Sequence, residues 1–256
     1  MVSIQQTAQE FLTTRSPFDR LTAPAHQELM RHVELLRYKM GQPILRHENL
    51  PTHLHLLLEG QVRLLGYGLQ NTQLPVTLQM LTPGALLGHA GLLRGVACET
   101  AIASQESICL RLEADFFLHL LHTESAFGAL FLEQLSVAEA YEILGHGLKH
   151  NPHTEGVNLR EAAIMAQGRG RVAYLSSVTT AASYQQDREC HWFVSSKTLD
   201  ALPVGTHLTP ELELGGLVLP EPLRLVGFPL VDFPFLGAVP SAADTHRPSA
   251  ATPLPR

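Results

Sequence analysis

Between Leu35 and Ala114 the chain is cut into short apolar runs, "ELLRYKMGQPIL", "HLHLLLEGQVRLLGYG", "PVTLQMLTPGALLG", "ETAIAS" and "SICLRLEA", punctuated by Gly and Pro. Short strands at this spacing predict an antiparallel roll or barrel. Helical periodicity brackets the region on both sides. Before it, Thr22 can cap a helix near 23–33 in which Leu29, Met30 and Val33 recur at helical spacing, with Glu28 early, where it favours the dipole. After it, Phe116, Leu120, Phe127, Leu130, Phe131, Leu135 and Ala138 supply an apolar helical stripe.

Beyond "HNPHTEG" the pattern changes again: "NLREAAIMAQG" reads as a short helix, and "RVAYLSSV", "CHWFVSS" and "PLRLVGFP" read as strands. The expected organisation is a mainly β jelly roll with flanking helices over 20–150, a small α+β unit over 156–232, and a disordered Pro/Ala-rich tail over 236–256. Trp192, Phe193, Val194 and Leu225 are the expected core of the second unit, with Trp192 and Phe193 a docking patch in the alternative.

Composition then narrows the function. With 256 residues, 45% hydrophobic and 16% charged, the chain can bury a sizeable core. Its net charge of −6, without a run of Lys or Arg, argues against nucleic acid and anionic membrane as partners. The N-terminal stretch lacks the basic and apolar segments of a signal peptide, and no uninterrupted apolar run is long enough to span a bilayer. The three cysteines, Cys98, Cys109 and Cys190, show no metal spacing and suggest a reducing, cytoplasmic setting. A helix-turn-helix after the roll is not indicated, because residues 157 to 230 read as one helix followed by strands.

The order of features from Leu35 to Phe117 resembles the cyclic nucleotide-binding domain family, the ligand-sensing roll of catabolite-activator-type regulators. The marks are Gly41 and Ile44, Gly60 and Val62, Gly84 and Gly88, "ETAIAS" and Phe116. "LLEGQVRLL" alternates poorly, as expected of a strand covered on both faces, and Gly60 and Gly84 stand where strands must turn tightly.

The resemblance implies that "GALLGHAGLLRGVACETAIAS", 84 to 104, is a phosphate cassette: a short helix after a glycine, amides facing the phosphate, a Glu for the ribose hydroxyl and an Arg for the phosphate. The implied ligand-binding positions are Gly88, His89, Ala90, Arg94, Glu99, Thr100 and Ala101. Here His89 stands where the family has Glu, and Glu99 where it has Arg. Exchanging a charge-assisted pair for a repulsion costs several kcal/mol, on the order of a thousandfold in affinity. Cyclic nucleotide is thus disfavoured as a ligand and no cofactor is expected. Arg94 reads either as a substitute cation or as a solvated loop residue pairing with Glu99.

The 14 histidines bring metal into consideration. His53, His55 and Glu59 resemble the first motif of the cupins, and strand alternation would place them on one face as a metal site in the alternative reading. His146, His150 and His153 read as a helix cap and linker, and His119 and His122 as partly exposed. No GxSxG or GxxxxGK[ST] is present, so nothing points to an enzyme. The cassette with "CHWFVSS" and "PLRLVGFP" also looks like the amino-terminal region of cyanobacterial peptidase-containing ABC exporters. The expected function is a non-enzymatic regulatory or docking module with a protein partner, an export ABC transporter being one candidate. A cyclic nucleotide or small-anion sensor is the alternative.

Overall fold

The computed structural model describes residues 4–68, 71–149, 156–197, 199–215 and 217–237. His150, His153, the expected junction between the unit ending at 150 and the unit starting at 156, and the tail beyond 237 lie outside the described residues. Helices α1 (Ile4–Thr14) and α2 (Ala23–His32) lead into strands β1 (Val33–Tyr38), β2 (Pro43–Leu45), β3 (His53–Glu59), β4 (Val62–Gly68), β5 (Asn71–Leu81) and β6 (Leu86–Leu87). Then come α3 (His89–Arg94), β7 (Thr100–Ala103), β8 (Ser107–Glu113), α4 (Ala114–Thr123), α5 (Ser125–Leu132) and α6 (Val137–Lys149). The chain continues with α7 (Leu159–Arg169), β9 (Arg171–Leu175), α8 (Ala181–Gln185), β10 (Cys190–Val194) and β11 (Leu223–Pro229).

Two four-stranded antiparallel sheets, in the orders β1-β8-β3-β6 and β2-β7-β4-β5, face each other as a jelly roll. Leu45, Leu57, Val62, Leu87, Ala101, Ala103 and Cys109 form one buried cluster within the roll. Leu54, Leu56 and Leu58 of β3 pack instead with Leu12 of α1, Leu29 of α2 and Phe117 of α4. Strand β3 is therefore covered on both faces, which is why its sequence does not alternate. Gly60 has φ +95°, and a Cβ there would meet the Glu106 carbonyl oxygen at 2.5 Å, so the β3–β4 turn admits only glycine.

The caps show how sequence sets the helices. Ser136 Oγ accepts from the Glu139 N–H at 3.1 Å and opens α6; Asn158 Oδ1 accepts from the Glu161 N–H at 3.3 Å and opens α7. Thr22 is the N-cap of α2 as expected, but its side chain does not cap the helix. Its N–H and Oγ1 both donate to the Glu124 carboxylate, at 3.0 and 2.9 Å, tying α2 to the α4–α5 junction.

Helix α6 and the third sheet close the other side of the roll. That sheet has the order β10-β11-β9, and all its pairs are antiparallel. Period-2 alternation splits β11: Leu223 and Leu225 pack with Trp192 and Val194, while Val226 and Phe228 join Leu64, Leu78, Ala90 and the α6 residues Ala140, Ile143 and Leu144. Trp192, Phe193, Val194 and Leu225 are buried, so the aromatic pair is core. The roll and the following unit thus share one hydrophobic core. No helix among the described residues is long and apolar enough to cross a membrane.

Arg224 shares the parity of Val226 and Phe228 and so faces the roll. It is 1% exposed, and its Nε and Nη2 donate to the two carboxylate oxygens of Glu139 at 2.8 and 3.1 Å. Nη1 donates to Tyr174 Oη at 2.7 Å and to the Leu132 carbonyl at 3.0 Å, and Nη2 donates to the Gln134 carbonyl at 2.6 Å. Glu139 is fully buried and also accepts from Ser195 Oγ at 2.6 Å. Burial alone would raise the Glu139 carboxyl, but the Arg224 guanidinium, with Arg94 and Ser195, holds it below the ordinary carboxylate value. Replacing Glu139 by Ala leaves the buried Arg224 guanidinium without its carboxylate, while Arg94 keeps Glu142, and is expected to cost about 3–5 kcal/mol. Urea denaturation checks this, with Glu142→Ala, whose side chain is 25% exposed, costing less.

Candidate functional site

The stretch after β6 folds as a cassette because of its glycines. Gly88 has φ +92°, and a Cβ there would meet the His53 carbonyl oxygen at 2.9 Å, so only glycine lets the chain pass β3 and turn into α3. Helix α3 runs only from His89 to Arg94 and ends on Gly95, whose N–H donates to the Gly91 carbonyl.

The chain then returns past the start of α3, and Glu99, 4% exposed, accepts the Gly88 N–H on its Oε1 at 2.7 Å. A carboxylate of the chain itself thus takes the amide that opens the cassette. Burial pushes the Glu99 carboxyl up to about 7; the Gly88 N–H and the Arg94 charge pull it down, and Glu139 pushes it up.

Arg94 is not a solvated loop residue but the buried last residue of α3. It is 1% exposed and no ion pair joins it to Glu99 among the described residues. Its Nε donates to the Ser195 carbonyl at 2.8 Å and to Ser195 Oγ at 2.9 Å, and its Nη2 donates to Glu142 at 2.5 Å. Its own carbonyl accepts the Lys197 N–H at 3.1 Å. The C-terminal end of α3 is therefore fastened to the third sheet. The sequence missed this because Ser195, Glu142 and Glu139 lie far along the chain; the available signal was an arginine directly after the apolar pair Leu92 and Leu93 at the end of a short helix.

The remaining cassette positions divide between structure and cavity. Ala90 packs against α6 and Ala101 lies in the core of the roll. Thr100 Oγ1 accepts the His47 N–H at 3.0 Å. His89 packs edge-on against Phe131, with ring centroids 5.9 Å apart, and its buried Nδ1 has no hydrogen-bond partner. Burial pushes the imidazole down to about 4, so it is neutral at ordinary pH. His89 and Glu99 both line a cavity of about 300 Å³, together with Gln79, Phe131, Gln134 and Gln167.

The metal alternative is not assembled by the described residues. The rings of His53 and His55 lie 6.4 Å apart, but a register shift between Leu57 and Glu59 breaks the alternation, and Glu59 is exposed at the end of β3. No group of three or more His, Cys, Asp or Glu among the described residues could hold a metal ion. His55 is buried against Tyr38, and burial lowers its pKa to about 4. His119 and His122 are exposed.

Residues 35–124 match the family model of the cyclic nucleotide-binding domain. No curated protein sequence matches the chain. Among solved structures, the chain is similar to the regulatory subunit of a cAMP-independent protein kinase A from Trypanosoma cruzi bound to guanosine, at 17% identity and a TM-score of 0.43. That match covers 48% of this chain and 43% of the kinase subunit, so the chain spans less than half of that protein's length. It is also similar to the sensor domain of the transcriptional regulator DNR from Pseudomonas aeruginosa, at 18% identity and a TM-score of 0.45, covering 51% of this chain and 87% of that one. A putative cAMP-binding regulatory protein from Silicibacter pomeroyi matches at 16% identity and a TM-score of 0.42, covering 50% and 58% of the two chains.

The raised carboxyl of Glu99 makes a signed prediction. The folded chain holds this proton more tightly than the unfolded chain, so its contribution to stability is present below the ordinary value of 4.5 and is lost as pH rises towards about 7. Glu99→Gln has no such proton. Its stability relative to the parent is expected to rise by about 2–3 kcal/mol between about pH 5 and pH 8, read from paired denaturation curves.

Proposed function

We propose that this chain is a non-enzymatic regulatory or docking module, built on a roll of the cyclic nucleotide-binding type whose cassette is closed to cyclic nucleotides. The observation that carries the reading is the 2.7 Å hydrogen bond from the Gly88 N–H to Glu99. An incoming phosphate would have to displace a buried carboxylate, and would meet it as a like charge within a low-dielectric wall. The cassette arginine, Arg94, is bonded through Nε and Nη2 to Ser195 and Glu142, and no Lys or Arg is among the residues lining the cavity.

The match of residues 35–124 to a family of regulatory and sensor domains supports regulation over catalysis. The attachment of α3 to the third sheet supports a role exerted through protein contacts, because the cassette and the surface beyond β10 hold one another in place. Nucleic acid is not proposed as a partner, given the net charge of −6.

Calorimetric titration with cyclic AMP and cyclic GMP is expected to show no saturable heat up to roughly millimolar ligand. Micromolar binding of either would overturn the closed-cassette reading and restore the alternative of a nucleotide sensor. An export ABC transporter is the first partner to test, supported only by the likeness of "CHWFVSS" and "PLRLVGFP" to exporter amino-terminal regions. Co-purification with the cytoplasmic domains of such a transporter is the expected result, and no association would remove it as the partner.

A further inference from the structure

Closing the cassette to anions leaves the cavity itself unexplained. It occupies about 300 Å³ between α3, the end of α5, the start of α6 and strands β4 and β5, at the small end of the range for ligand pockets. Its wall carries one carboxylate, Glu99, which is 4% exposed, and no cationic side chain. Gln79, Gln134 and Gln167 add carboxamides, each with a carbonyl acceptor and an amino donor but no charge, and Ser136 adds a hydroxyl. Phe131 contributes an aromatic ring, and Leu64, Leu81 and Leu86 an apolar side. His89 also lines the cavity, as a neutral imidazole whose Nδ1 has no partner.

A buried carboxylate, an aromatic ring and several carbonyl acceptors together suit a group that is positively charged, donates hydrogen bonds and carries an apolar body. They are unsuited to phosphate or carboxylate ligands, which would find no cation in the wall. We infer that this cavity binds a small organic cation, an alkyl or aryl amine or amidine, with Glu99 as its counter-ion. The inference rests on the reading of the cassette as closed to anions.

The charge on Glu99 is set by every element packed around it. Arg94 acts on it from α3 and Glu139 from α6, Cys98 adjoins it, the Gly88 N–H donates to it, and His89 shares the cavity wall with it. Arg94 favours the carboxylate, Glu139 opposes it, and Cys98 and His89 are neutral. The group half-ionises at about 7, so cation binding is strongest above that pH and weakens below it, as the counter-ion takes up a proton.

Benzamidine, whose amidinium stays charged across this range, is the probe. Calorimetry on the full chain is expected to show saturable binding at about pH 8 and about tenfold weaker binding at about pH 6. Glu99→Gln should lose at least about tenfold in affinity at the higher pH. Gln134 is exposed at the cavity mouth, so Gln134→Lys preserves the fold and should weaken binding about fivefold or more by placing a like charge there. Absence of saturable benzamidine binding, or equal binding by the parent and both variants, overturns the inference. Cyclic AMP titrated in parallel separates the two readings. If neither compound binds, only the cation site falls. If cyclic AMP binds, the closed cassette falls and the cation site falls with it.

Discussion

One buried carboxylate organises the described part of this molecule. Glu139 sits on the first turn of α6, faces the third sheet, and is held by Arg224 from β11 and by Ser195 just after β10, with Arg94 of α3 at 3.8 Å. Taking these charges out of water costs several kcal/mol per ion, and the hydrogen bonds that replace the water return roughly that amount. The network therefore contributes less to net stability than its bond count suggests. Its larger effect is on arrangement. Sliding β11 by one residue would turn Arg224 away from Glu139 and into the Trp192 cluster, so the charges admit only one docking of the third sheet. Arg224 also donates to the Leu132 carbonyl at the end of α5, one of the carbonyls a helix terminus leaves unpaired, and so fixes the break between α5 and α6.

That arrangement explains the state of the cassette. Helix α3 is held at both ends by side chains of its own chain: Glu99 at the Gly88 amide and Ser195 at Arg94. The two clamps are coupled electrostatically, since Arg94 stabilises the Glu99 carboxylate while Glu139 destabilises it. A change in the ionisation of Glu99 therefore bears on the same charges that seat the third sheet. The cassette, the cavity beside it and the third-sheet docking form one electrostatic unit.

The roll was legible in the sequence because strand length, turn glycines and flanking helical stripes are local signals. The poor alternation of "LLEGQVRLL" correctly indicated a strand covered on both faces, as Leu54, Leu56 and Leu58 on one side and Leu57 on the other now show. Helix α1 was missed: "IQQTAQEFLTT" has no acidic residue in its first turn and no basic residue in its last, and Leu12 finds its cover only in the assembled core. Thr22 was placed correctly at a helix start, but the competing carboxylate of Glu124 lies 102 residues away. The buried charges were illegible for the same reason, since Arg224 and Glu139 stand 85 positions apart and a sequence ranks both as surface residues. The one local hint was parity: Arg224 falls in step with Val226 and Phe228 in a strand that is buried nearly throughout.

The cassette also shows why shape and chemistry must be read from different residues. Gly88 is required because the His53 carbonyl lies where a Cβ would stand, and Gly60 because the Glu106 carbonyl does. Both constraints arise from the roll's own packing and hold whether or not any ligand is bound. Glycines at those positions therefore report the fold and carry no information about an anion. The information sits in His89 and Glu99, which no backbone clash dictates: the first is a neutral imidazole that offers an anion no charge, and the second is an acid where an anion site needs a cation. A pocket whose walls are kept by packing and whose charge is inverted is still a pocket, and the electrostatics of that wall select for a cation.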